Sequence, residues 1–144
     1  MANEIPKEII RFIREHHVMT LASHDGDAPY CANLFYAYSS KLNGFVYTSS
    51  LATSHAQHCL KNTKAAGSIV VETKVVGKVR GLQISGNTTP VSDSELAIAK
   101  GSYLRKFPFA VVAPLELWLF RPSFLKLTDN RLGFGKKLIW EKDE

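Results

Sequence analysis

Residues 47–58, Tyr-Thr-Ser-Ser-Leu-Ala-Thr-Ser-His-Ala-Gln-His, form the densest polar stretch of the chain. Thr48, Ser49, Ser50, Thr53, Ser54, His55 and His58 can all donate or accept hydrogen bonds. One chemistry for such a stretch is anion binding. A strand-like apolar run ends here and a helix-like segment leaves, and the first N–H groups of a helix have no internal partner. Those groups and the helix dipole attract phosphate. Hydroxyls of Thr48, Ser49, Thr53 and Ser54 add donors, and His55 adds charge when protonated. A second chemistry is metal binding, since His55 and His58 lie three apart and can share a helix face. Zinc takes three or four protein ligands, and His16, His17 and His24 stand at no HExxH or Cys-His spacing, so no metal site is expected. The third reading is local: Ser54 as N-cap and Gln57 at the third helical position make a capping box. On spacing alone, capping is the more economical account.

Other chemistry is thinly represented. Cys31 and Cys59 lack the spacing to a base that a nucleophile needs, and neither a Gly-x-Ser-x-Gly elbow nor a P-loop occurs. No catalytic residue is assigned. Tyr36, Tyr38 and Tyr47 can line a pocket for a flat ring, although core packing explains most of them. Alternation along a strand sets Phe35 on the face opposite Tyr36 and Tyr38. The Gly133–Lys137 run, Trp118 and Arg121 are structural by default and candidates for contacts at a dimer seam.

The elements that must hold these residues follow from hydrophobic period and turn chemistry. Ile9, Ile10, Phe12 and Ile13 give one apolar face to a helix over roughly 6–16. Strands are expected at 18–23, 30–39 and 45–50, joined by Asp25-Gly26 and Asn43-Gly44 turns. A helix over 55–66, ended near Gly67, leads to strands at 68–72 and 79–91, with a bulge at Gly86. Ser92 and Glu95 form a second capping box before a helix reaching Lys106. A long strand from Leu115 carries a bend or edge at Pro122, and a final extended piece follows the Asp129-Asn130 turn. Short connections favour antiparallel pairing, and the order lacks the strict alternation of a parallel sheet. The fold class expected is mainly β: a six-stranded antiparallel barrel with flanking helices.

Bulk properties narrow the function classes. The chain has 144 residues, enough for one domain with its own core, read here as 1–144. No run approaches the length of a membrane span, and the charged first residues do not read as a signal peptide. A cytoplasmic location with reduced cysteines is the expectation. The formal net charge is +5, which favours anionic partners, but the excess is scattered and nucleic-acid binding is not expected.

The run from Ala28 to Val71, the segment 79–95 and the tail 124–140 together resemble the FMN-binding split barrels related to pyridoxamine 5'-phosphate oxidase. The shared pattern is a Pro-led strand, a strand ending Tyr-Thr, a polar loop, a helix and a small-residue strand. The tail resembles a short, poorly characterised branch of that superfamily. The resemblance implies a six-stranded split barrel, a homodimer and a flavin at the subunit seam. It sets the FMN phosphate at the loop around Thr48, Ser49, Thr53, Ser54 and His55, with backbone along Ala32, Asn33 and Leu34 edging the ring. The family's Ser-Arg-Lys triplet falls on Thr53, Ser54 and His55, so the hydroxyls remain and two permanent cations are gone. Lys61, Arg80 or a partner subunit would have to compensate. The oxidase's Arg-rich substrate segment is replaced by Pro-Ser-Phe-Leu-Lys-Leu-Thr-Asp-Asn, so pyridoxamine phosphate oxidation is not expected. The resulting expectation is an FMN-binding, flavin-dependent oxidoreductase acting on an unidentified small molecule, with a deazaflavin as another candidate cofactor. The alternative is a non-enzymatic haem- or flavin-binding protein, with His16, His17, His24, His55 or His58 as the axial ligand.

Overall fold

The computed structural model describes residues 3–143. Helix α1 (Lys7–Glu15) starts where Pro6 offers its carbonyl to the N–H groups of Ile9 and Ile10, at 3.0 and 3.2 Å. Proline has no N–H to lose there, and its fixed φ suits a helix entry. Ile9, Phe12 and Ile13 form the buried face. They pack into the main core with Met19, Leu21, Phe45, Trp118 and Phe120. Full burial of such side chains stabilises by about 1.5–3 kcal/mol each, so the helix is held by packing more than by its own propensity.

Eight strands form one antiparallel sheet: β1 (Val18–His24), β2 (Pro29–Phe35), β3 (Ala37–Ser39), β4 (Gly44–Thr48), β5 (Lys64–Val71), β6 (Arg80–Pro90), β7 (Leu117–Asp129) and β8 (Lys137–Glu141). Their order is β2-β1-β5-β6-β7-β4-β3, with β8 beside the far half of β7. The two ends of that order, β2 and β3, are consecutive in the chain and separated only by Tyr36. Counted as one bent strand they close a ring of six, with β8 an addition, and the expected split barrel is borne out. The single strand expected over 30–39 is divided at Tyr36. There the backbone N–H donates to the His17 carbonyl at 3.0 Å and the phenol to the Ile13 carbonyl at 2.6 Å.

Among the described residues two further α-helices flank the barrel. Helix α2 (Ser54–Lys61) is shorter than the expected 55–66. Ala65, Ala66 and Gly67 instead pair as strand with β6, and Ala66 and Gly67 also with β1, because the ladder outweighs alanine's helix preference. Gly67 also faces the core, where an added Cβ would stand 3.0 Å from the Phe120 ring. Helix α3 (Leu96–Lys106) lies over β3 and β4, burying Ala99 and Tyr103 in a second cluster with Ala37, Val46, Leu117 and Leu119. Half of the second capping box forms: the Glu95 carboxylate accepts from the Ser92 N–H at 3.2 Å, but Glu95 itself is the residue before the helix. Glu95 also pairs with Arg121, fastening α3 to β7.

The expected irregularities at Gly86 and Pro122 are one feature. They face each other where the β6–β7 register shifts. Strand β7 leaves β4 after Phe120 and gains β8 at Phe124, so Pro122, which has no N–H, stands between its two partners. A Cβ at Gly86 would come within 2.0 Å of the Arg121 carbonyl oxygen, which only a backbone shift relieves. Gly86→Ala is therefore expected to destabilise by about 2–3 kcal/mol, in the range of overpacked interiors. Urea unfolding checks this, and a loss below about 0.5 kcal/mol, typical of an unconstrained surface position, would show that the bulge gives way.

Candidate functional site

The barrel is open along one seam, and the sequence-selected residues lie on its two sides. Among the described residues strand β2 pairs only with β1, which leaves its other edge free, while β3 pairs with β4 through Ala37↔Val46 and Tyr38↔Phe45. Continuing that register would set Phe35 against Thr48 and Leu34 against Ser49. The chain parts there instead: β2 and β4 are neighbours without pairing. Ala32, Asn33 and Leu34 line one side, and Thr48, Ser49 and the loop to α2 line the other. The free edge exposes unpaired main-chain donors and acceptors. Asn33 turns to the outer face of β2, where its Oδ1 accepts from Thr20 Oγ1 at 2.7 Å.

The loop from β4 to α2 is built by its own hydroxyls. Ser50 Oγ accepts from Ala52 N–H at 3.2 Å, and the Ser50 carbonyl accepts from Thr53 N–H at 3.1 Å. Thr53, not Ser54, is the N-cap: its Oγ1 accepts from Ala56 N–H at 3.3 Å. The cap is displaced by one residue and the expected capping box does not form. Gln57 donates to the Leu51 carbonyl and does not reach back to a cap N–H. Ser54 is exposed at the first helical position. Among the described residues, the N–H groups of Ser54 and His55 and the Ser54 hydroxyl have no protein partner. These groups are a donor set for an anion.

His55 is directed inward. Its Nε2 lies 2.5 Å from Ser49 Oγ and 3.4 Å from Thr53 Oγ1, and the residue is buried. Burial first, then the charge of His58, lowers its pKa below the ordinary value. The imidazole is thus a neutral structural member and not the cation that its type suggested. Ser49 is locked from both ends, since its carbonyl accepts from Trp118 Nε1 at 3.2 Å and its N–H donates to the Glu116 carbonyl at 3.0 Å. Trp118 stacks on Tyr47, whose phenol shares a 2.6 Å hydrogen bond with Thr88. This buried network ties the loop to β6 and β7. Polar residues dispersed over 49, 55, 88 and 118 gave no sequence signal for it.

The two cations expected to compensate for the missing pair are elsewhere. Arg80 pairs with Glu15 at 3.2 Å and Asp129 at 3.6 Å and lies over the Phe12 ring. Lys61 closes α2 at the end away from the loop. Of the histidines, His58 approaches Ser23 Oγ at 3.3 Å and meets Tyr30 edge-on at 5.7 Å, beside the β1–β2 hairpin. Among the described residues, no group of three or more His, Cys, Asp or Glu side chains is placed to hold a metal.

Two measurements test this geometry. Thr53→Ala should cost about 1 kcal/mol as a lost cap, and Ser54→Ala only a few tenths; the reverse order would restore Ser54 as the cap. His55 has a depressed folded-state pKa, so its contribution is complete above the unfolded value of 6.5 and is lost as pH falls below it. The fall in unfolding free energy from pH 7 to pH 5 should therefore be smaller in His55→Gln than in the unsubstituted protein. An equal fall would show that the imidazole is not held neutral.

The sequence and the fold both have known relatives. The family described as pyridoxamine 5'-phosphate oxidase matches residues 5–119. A UPF0306 protein of Cronobacter sakazakii is 37% identical over 136 residues, covering 94% of each chain. A pyridoxamine 5'-phosphate oxidase-related, FMN binding protein of Nostoc punctiforme superposes with a TM-score of 0.70 at 11% identity, covering 98% of this chain and 93% of the other. A heme binding protein of Mycobacterium smegmatis gives a TM-score of 0.77 at 16% identity, covering 96% of this chain, which spans 59% of that one. With residues 5–119 matched by the family and relatives above 30% identity over most of its length, the chain belongs to the pyridoxamine 5'-phosphate oxidase family of split-barrel proteins and is a relative of the UPF0306 proteins.

Proposed function

We propose that the protein binds FMN at the open seam and works as a flavin-dependent oxidoreductase on a small molecule. The observation that carries this reading is the pairing of a free β2 edge with an exposed, unsatisfied helix start across the seam. Main chain along Ala32–Leu34 would edge the isoalloxazine ring. The N–H groups of Ser54 and His55, with the hydroxyls of Ser54 and Thr48, would hold the phosphate. Bound FMN would supply the electron or hydride transfer; the chain supplies position and electrostatics. The donors are neutral, so phosphate binding is weaker here than with an Arg-Lys pair. The family membership and the Nostoc relative support the same reading.

A homodimer goes with it. The outer face of β2, β1 and β5 carries small or exposed side chains in register, Cys31–Ala22–Ala66 and Asn33–Thr20–Ser68, with Phe35 and Val70 exposed at 59% and 69%. A second copy seated on this face would cover the seam and bring the missing positive charge. No helix in the described residues is long and apolar enough to cross a membrane. Haem is the second reading, favoured by the part-exposed imidazole of His58 beside Tyr30 and by the Mycobacterium smegmatis relative.

The test is FMN titration of the purified chain followed by desalting and a visible spectrum. One flavin per subunit is expected to be retained or to titrate. Ser54→Arg restores a cation at the exposed helix start and should tighten FMN roughly tenfold, the worth of one charged hydrogen bond. An affinity unmoved by that substitution would place the phosphate elsewhere. No flavin binding, with a Soret band on adding haemin that His58→Ala removes, would replace the flavin reading with the haem one.

A further inference from the structure

A second recess lies between the C-terminal part of α1, β3 with its following turn, and α3. It shares no residue with the open seam. Its two adjoining lobes measure about 350 and 260 Å³ and have Arg14, Tyr38, Ser102 and Arg105 in common. The larger lobe adds Lys41 and the smaller adds Lys106. Four cations therefore line one recess, and none of its lining residues carries a carboxylate. Like charges gathered without acids raise the local potential, most of all in a concave surface.

None of the four cations is paired with an acid. Among the described residues, every ion pair involves Arg80, Arg121 or Arg131, and none involves these four. Arg14 lies over the Tyr38 ring at 5.8 Å, and the Arg105 guanidinium makes one long contact, Nε to the Gly101 carbonyl at 3.4 Å. Lys106 is half-buried over the Tyr36 ring at 4.4 Å, donates to the His16 carbonyl, and has its pKa pushed down to about 8 by burial. Two hydroxyls, Ser40 and Ser102, face the recess without a protein partner among the described residues, whereas Ser39 accepts from Leu42 N–H and Tyr38 donates to Asn43. Guanidinium forks, an ammonium and free hydroxyls are the donor set that phosphoryl oxygens take. The larger lobe falls at the lower end of the range for small-ligand pockets, roughly 300–1,000 Å³.

We infer that this recess is a binding site for a small phosphorylated or pyrophosphorylated molecule, held by Arg14, Arg105 and Lys41 with Ser40 and Ser102, and separate from the flavin seam. The inference does not rest on the flavin reading, because no residue is shared.

Calorimetric titration of the full chain with inorganic pyrophosphate at fixed ionic strength tests it, with sulfate as the comparison anion. One saturable site per chain is expected, with pyrophosphate at least tenfold tighter than sulfate. The Arg14→Gln/Arg105→Gln pair should weaken it at least thirtyfold, and Ser102→Asp, which sets a carboxylate in the recess, should abolish it. Lys74→Gln, which removes an exposed cation outside the recess, should leave it unchanged. Arg14 and Arg105 are exposed, and unaltered circular dichroism and thermal midpoints would confirm that the variants fold. The inference is overturned by titration heats no larger than dilution, by binding that both recess variants retain, or by binding to an RNA oligomer with none to pyrophosphate.

Discussion

The structure depends on one residue's refusal to continue a strand. Tyr36 stands between β2 and β3 with its side chain fully buried, its N–H given to His17 and its phenol to Ile13. A buried hydroxyl without a partner would cost free energy, so the ring is held where α1 leads into β1. The bend lets one stretch of chain serve as both edges of the sheet. Without it the strand would pair with β4 along its whole length and the seam would close. With it, β2 departs on the β1 side, and the loop to α2 faces a free main-chain edge. Closure of the ring and opening of the seam thus share a cause.

Around that opening the polar groups divide between a buried network and unpartnered donors in a way their types do not disclose. Ser49, His55, Thr88, Tyr47 and Trp118 are spent inward, in a buried network that fixes the loop against β6 and β7. Interior hydrogen bonds of this kind are worth most when every member is satisfied. Ser54 and the first N–H groups of α2 are left outward. Permanent charge follows the same division. Arg80 and Arg121 are paired with acids that fasten α1 and α3 to the sheet, while Arg14, Lys41, Arg105 and Lys106 gather in the recess under α3. A formal charge that is scattered along the sequence becomes concentrated only when α1, the turn after β3 and α3 meet.

Much of this was legible in the sequence, and the reasons are local. Periodicity placed α1 and the strands, Asp25-Gly26 and Asn43-Gly44 placed the turns, and the Ser/Thr cluster marked the start of α2, because these signals act between residues a few positions apart. The resemblance in order and spacing carried the barrel and the two sides of the seam. What the sequence could not decide depended on distant partners. The end of α2 at Lys61 and not Ala66 follows from the ladders of β5 with β1 and β6. The engagement of Arg80 follows from Glu15 and Asp129, dozens of residues away, and the inward turn of His55 from a Ser49 that Trp118 and Glu116 hold in place. By itself the sequence determined the order of helices, strands and turns, though not every boundary, and that a helix begins within residues 47–58. Only the tertiary structure decided which of their polar groups remain free, because hydrogen-bond and ion-pair partners are assigned by packing and not by spacing along the chain.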